Sequence, residues 1–168
     1  MSTFGVAARA FEEALCELRL PGATQTSATA QAELGRRAAL LAVADTLWQR
    51  HLGLMLDGTQ VQRLLKIGTR QGVNDLVRRR RLLALPGPRG RALYPAFQFT
   101  NRGRPHSALP AVLAHFEAAG VKAHTIASWF TTPQAYLANQ TPAARLAEDP
   151  EGLPVIESAR RSAARLGQ

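Results

Sequence analysis

Residues 56–85 read LDGTQVQRLLKIGTRQGVNDLVRRRRLLAL, and the organisation of the chain turns on how this stretch folds. Val61, Leu64 and Leu65 stand at spacings of three and four, which predicts a short helix over 59–65, with Asp57 or Thr59 placed to cap it. Gly68 follows, where a left-handed turn costs glycine little. Thr69 is then a capping residue for a second helix whose buried face is Val73, Leu76 and Val77. Two short helices with one apolar face each, joined at a glycine, read as a helix-turn-helix. The opposite face of the second helix carries Arg70, Gln71, Asn74 and Arg78. Guanidinium groups pair bidentately with guanine and side-chain amides with adenine, so this face has the side chains that duplex reading requires. Arg79, Arg80 and Arg81 are placed for phosphates, which fix register without reading sequence. The competing explanation is plain: Gln71 and Asn74 are ordinary surface amides taken singly, and glycine-joined helix pairs also occur in proteins that never meet DNA.

Charge separates the two explanations. The 168 residues carry 21 Lys and Arg against 12 Asp and Glu. Between Arg63 and Arg104 there are eleven basic residues and one acid, Asp75, so this segment holds +10 of the net +9 and the remainder sums to −1. A basic charge confined to the segment with the helix-turn-helix pattern points to a polyanionic partner. An arginine-rich surface that is merely solvated is the alternative.

Outward from this segment, LLALPGPRGRALYPAFQFT predicts two short strands around a Pro-Gly turn. Arg89 and Arg91 lie in that turn, where a wing would rest on the DNA backbone or minor groove. Helical patterns follow at about 109–119 and 123–131, and the last helix is expected over 154–166. On the other side, Phe4, Ala7, Ala8, Phe11, Leu15 and Leu18 suit an amphipathic helix over 4–19. A second, alanine-rich helix runs from about 29 to 51 with Leu34, Leu41, Ala44, Leu47 and Trp48 as its apolar stripe. Such a stripe wants a partner, and a second copy of the chain is the expected one. The fold is therefore expected to be mainly α, with N-terminal helices over 1–53, a winged helix-turn-helix with a small β-hairpin over 54–104, and a compact helical domain over 105–168.

Other classes find little support. No apolar run approaches the roughly 20 residues needed to cross a bilayer, and the acidic N-terminal stretch is unlike a secretory leader, so a cytoplasmic protein is expected. Cys16 is the lone cysteine, and His51, His106, His115 and His124 are scattered, so neither a metal site nor a cofactor is expected. No nucleophile elbow, phosphate-cradling glycine loop or carboxylate pair appears, and catalysis is not expected.

Residues 56–94 resemble the winged helix-turn-helix of the excisionase and MerR-like group. The segment beyond it resembles the C-terminal domain of the Xre/MbcA/ParS antitoxin family, on the strings YPAFQF at 94–99, IASWFTTPQAYLANQTPAARL at 126–146 and LPVIESARR at 153–161. Where that family usually has glycines, this chain has Ala138, Asn139 and Gln140. The resemblance implies the antitoxin of a type II toxin-antitoxin system, which represses its own operon and docks on a RES-domain toxin that consumes NAD. Carried over by position, the toxin-facing residues are Trp129, Phe130, Tyr136, Thr141, Pro142, Arg160 and Arg161. Trp129 and Phe130 suit the domain's own core equally well, and Thr141-Pro142 is also a good helix start. The functional expectation is thus a homodimeric repressor bound to double-stranded operator DNA. The alternative is a regulator or architectural nucleic-acid-binding protein with no toxin partner.

Overall fold

The computed structural model describes residues 48, 50–87, 90–149 and 151–166. The helix expected over 4–19, most of that over 29–51, Cys16 and the expected dimer surface lie outside the described residues. Contacts divide the chain into units of residues 1–45 and 46–168, and every described residue belongs to the second. The architecture is mainly α with a small antiparallel sheet. Strand β1 (Met55–Asp57) leads into α1 (Gly58–Leu65) and α2 (Arg70–Arg78), then come β2 (Leu85–Pro86) and β3 (Ala92–Pro95). A 3-10 turn (Ala96–Gln98), α3 (Leu109–Ala118), α4 (Ala123–Thr131), a second 3-10 turn (Ala135–Leu137), α5 (Pro142–Glu148) and α6 (Leu153–Leu166) complete it.

The sheet order is β1-β3-β2, with Leu56 opposite Tyr94 and Leu85 opposite Leu93. Residues 55–57, which no pattern in the sequence marks as a strand, form β1. A three-residue strand is too short to show alternation, and only its pairing with β3 creates it. Asp57 ends that strand and caps α1, its carboxylate accepting from Gln60 N–H at 2.8 Å while its own N–H donates to Gln60 Oε1 at 2.8 Å. This reciprocal box satisfies donors the helix cannot.

The turn between the helices also differs from expectation. Gly68 is not left-handed; Lys66 is, at φ 55°. Ile67 N–H donates to Gln62 O at 2.9 Å and Lys66 N–H to Arg63 O at 3.2 Å, the paired bonds that close a helix end immediately. The reversal therefore happens two residues before the glycine, because the helix's last free carbonyls select the position. The end of α2 is closed the same way by Arg80, at φ 58°, with Arg81 N–H on Leu76 O and Arg80 N–H on Val77 O.

Two hydrophobic clusters share the unit. Val61, Val73, Leu82 and Tyr94 hold α1, α2 and the sheet together, with Leu65, Ile67, Leu76 and Val77 packed around them. The second cluster gathers α3, α4, α5 and α6 around Phe116, Phe130, Leu109 and Val155, and it also takes Leu52, Leu83 and Leu85. Residues 82–85 run between the clusters, so that Leu82 and Ala84 face one and Leu83 and Leu85 the other, the two-residue period of an extended segment. The expected boundary at 104/105 thus falls inside one compact unit. Gln98, fully buried, clamps this segment: its Oε1 accepts from Leu83 N–H at 2.7 Å, and its Nε2 donates to Leu83 O at 3.1 Å and Pro95 O at 2.9 Å.

Candidate nucleic-acid interface

Thr69 sits in extended backbone and its Oγ1 accepts from Gly72 N–H at 3.1 Å, starting α2 where the sequence placed it. Val73 is buried to 1%, and it sets the rotation of the helix. Arg70, Gln71, Asn74 and Arg78 are consequently exposed together on the opposite face. Gly72, which the sequence reading did not single out, lets this helix seat against the turn: a Cβ there would stand 2.6 Å from Ile67 Cγ2. Its signal was present in the sequence as a glycine inside a helical pattern, where glycine costs about 1 kcal/mol and so implies a close approach.

Two of the exposed side chains are held by Asp75. Gln71 Nε2 donates to Asp75 Oδ1 at 3.0 Å, and Arg78 Nη2 donates to the same oxygen at 2.6 Å. The lone acid of the basic segment is therefore shared by the middle and end of the face. Arg70 stands near enough to Tyr94 to matter electrostatically: burial pushes the Tyr94 phenol above its ordinary range, and the positive charge of Arg70 partly opposes this.

The arginine run is not uniform in its surroundings. Arg79 and Arg81 are exposed, but the Arg80 guanidinium donates to the Glu117 carboxylate of α3. Arg80, expected at a phosphate, is ion-paired here and links the end of α2 to α3. The pair holds the Glu117 carboxyl below the usual range and raises the guanidinium further. This contact spans 37 positions, so no local pattern could have shown it.

The two strands of the expected hairpin pair antiparallel. Gly87 N–H donates to Arg91 O at 2.7 Å, and a Cβ on Gly87 would lie 2.5 Å from that same oxygen, so only glycine fits. Arg91 is exposed at the base of the tip, and Arg89 lies outside the described residues.

The residues expected to face a toxin do not share one environment. Trp129, Phe130 and Pro142 are buried. Trp129 donates through Nε1 to Ser162 Oγ at 3.0 Å and packs edge-on against Phe116, while Phe130 stacks on Phe97. They form core, and their expected role at a surface is corrected accordingly. Thr141 caps α5, accepting from Ala144 N–H at 3.2 Å. Tyr136, Arg160 and Arg161 are exposed: Arg161 lies over the Tyr136 ring at 4.6 Å, and both arginines bond Glu157, whose carboxyl they hold down at about 2.

No family model matches this chain, and no curated protein does. The fold has a solved counterpart. The chain is similar to the NMR structure of Rv2175c, with a TM-score of 0.57 and 23% identity over 66% of this chain and 81% of that one. At that identity the likeness concerns the fold alone. Among the described residues, no group of three His, Cys, Asp or Glu could hold a metal ion, and no helix is long and apolar enough to cross a membrane.

Proposed function

We propose that this chain is a sequence-specific DNA-binding repressor, with α2 as the recognition helix and the β2-β3 hairpin as its wing. The observation that carries the reading is the joint exposure of Arg70, Gln71, Asn74 and Arg78 on the face of α2 opposite buried Val73, within the one strongly basic segment of the chain. Helix orientation is set by the cluster beneath, so the polar side chains project at a fixed angle into a major groove. Exposed Arg79, Arg81 and Arg91 supply the surrounding phosphate contacts. Binding as a homodimer to a palindromic site follows from the symmetry of such regulators.

The role as an antitoxin that neutralises a RES-domain toxin is the finer part of the proposal. It now rests on the exposed Tyr136, Arg160 and Arg161, since the other aromatic candidates are core. Co-expression with a RES-domain protein encoded beside this chain tests it, with loss of the complex on Tyr136→Ala/Arg161→Ala as the expected result.

The DNA-binding reading is tested by titrating the full chain into a duplex from its own promoter and into a scrambled duplex of equal length, beside Arg70→Ala/Gln71→Ala. Preference for the promoter that the double variant abolishes supports readout by α2. Equal binding to both duplexes, unaffected by the variant, refutes it and favours an architectural nucleic-acid-binding protein.

A further inference from the structure

Beyond the hairpin, a second basic turn is built onto the helix-turn-helix. Phe99 and Pro105 pair in an antiparallel bridge, and between them the chain closes on itself. Thr100 N–H donates to Arg104 O at 2.7 Å, Gly103 N–H to Thr100 O at 2.8 Å, and Arg104 N–H to Thr100 Oγ1 at 3.3 Å. Gly103 is left-handed at φ 71°, and a Cβ on it would stand 2.8 Å from Leu64 Cδ1. The turn is therefore preformed and pressed against the penultimate residue of α1.

That location matters. Leu64 lies in the last turn of α1, just before the connection to α2, and Arg70 follows six residues later, so Arg102 and Arg104 stand at the same end of the motif as the N-terminal, base-facing end of α2. Arg63 and Lys66 are exposed at this end too. Among the described residues no carboxylate pairs with any of these four cations, in contrast to Arg78 and Arg80. From residue 58 to 116 the one acid is Asp75, already engaged by Gln71 and Arg78.

We propose that the 100–104 turn is a second phosphate-binding element, in which Arg102 and Arg104, with Arg63 and Lys66, hold the DNA backbone flanking the bases that α2 reads. The proposal rests on the DNA-binding reading above and extends it to a site the helix-turn-helix pattern does not include. Exposed cations on a preformed turn form charge-assisted bonds to phosphate oxygens with little ordering cost. Such contacts add affinity without sequence information.

The test compares wild type, Arg102→Ala/Arg104→Ala and Arg102→Lys/Arg104→Lys on the promoter and scrambled duplexes at several salt concentrations, with circular dichroism as the folding control. The alanine pair is expected to lower the slope of log K against log salt by about 2, roughly one per lost phosphate contact, while the promoter-to-scrambled ratio stays constant. The lysine pair, which keeps the charge, is expected to retain most of the slope. An unchanged slope in the alanine pair, with wild type still binding, overturns the second element alone. A collapsed promoter preference with an unchanged slope also overturns it, by making these arginines base readers. Failure of wild type to bind either duplex overturns the DNA-binding reading, and this inference with it.

Discussion

Replacing Gln98 by Leu tests how the sheet and helices α1 and α2 are joined to the helical core. The two side chains have similar volume, so the change removes polar contacts without opening a large cavity. Three buried backbone groups lose their partner: Leu83 N–H, Leu83 C=O and Pro95 C=O. Each buried group left unpaired costs about 1–3 kcal/mol, and the gain from burying a more apolar side chain offsets part of the sum, so a net loss of about 2–5 kcal/mol is expected. That is a large share of the roughly 5–15 kcal/mol by which such units are stable. With a urea dependence of about 1–3 kcal/mol per molar, the unfolding midpoint is expected to fall by about 1–3 M. Fluorescence of the buried Trp129 follows the transition. A midpoint shift under about 0.5 M, with the circular dichroism spectrum unchanged, would show that the Gln98 clamp does not hold residues 82–85 between the two clusters. The folded fraction of the variant is expected to keep the promoter-to-scrambled ratio of wild type, because α2 itself is untouched.

Gly72→Ala places a methyl carbon 2.6 Å from Ile67 Cγ2. Overpacking of this kind costs about 1–3 kcal/mol against a helix-propensity gain of about 1, so a modest loss of thermal stability is expected, together with weaker promoter binding that Ile67→Ala partly restores. Ala138→Gly relieves a left-handed alanine at φ 53° and is expected to stabilise the unit by about 0.5–1 kcal/mol in urea titration; a loss would contradict the strain assigned there. Burial pushes the His106 imidazole below its ordinary 6.5, so the folded state resists protonation that the unfolded chain accepts. Stability is therefore present above about pH 6.5 and is lost as pH falls through the lowered folded value. His106→Gln should flatten the melting temperature between pH 5 and 7, on the order of the His titration range. An unchanged profile in that variant would assign the acid sensitivity to other groups.

What the sequence determined alone was local. Periodicities of three and four located α1 through α4 and α6 to within a residue or so, since amphipathic helices announce themselves in their own residues. Capping chemistry placed Thr69 and Thr141, and the turn glycines placed the hairpin. The exposed face of α2 was legible for the same reason: Val73, Leu76 and Val77 define the buried side, and Arg70, Gln71 and Asn74 must then lie opposite. Contacts between distant segments were not legible. Strand β1 exists through its pairing with β3, Arg80 meets Glu117 across 37 positions, and Gln98 reaches Leu83 across 15. The direction taken by Trp129 and Phe130 was open in the same way, because a large aromatic serves a core or a docking surface equally well until its neighbours are known. The second basic turn belongs with these, since the arginine spacing shows charge but only Gly103 against Leu64 shows where that charge is held. Helical propensity and capping act within a few residues along the chain, whereas burial and ion pairing depend on what tertiary packing brings beside them.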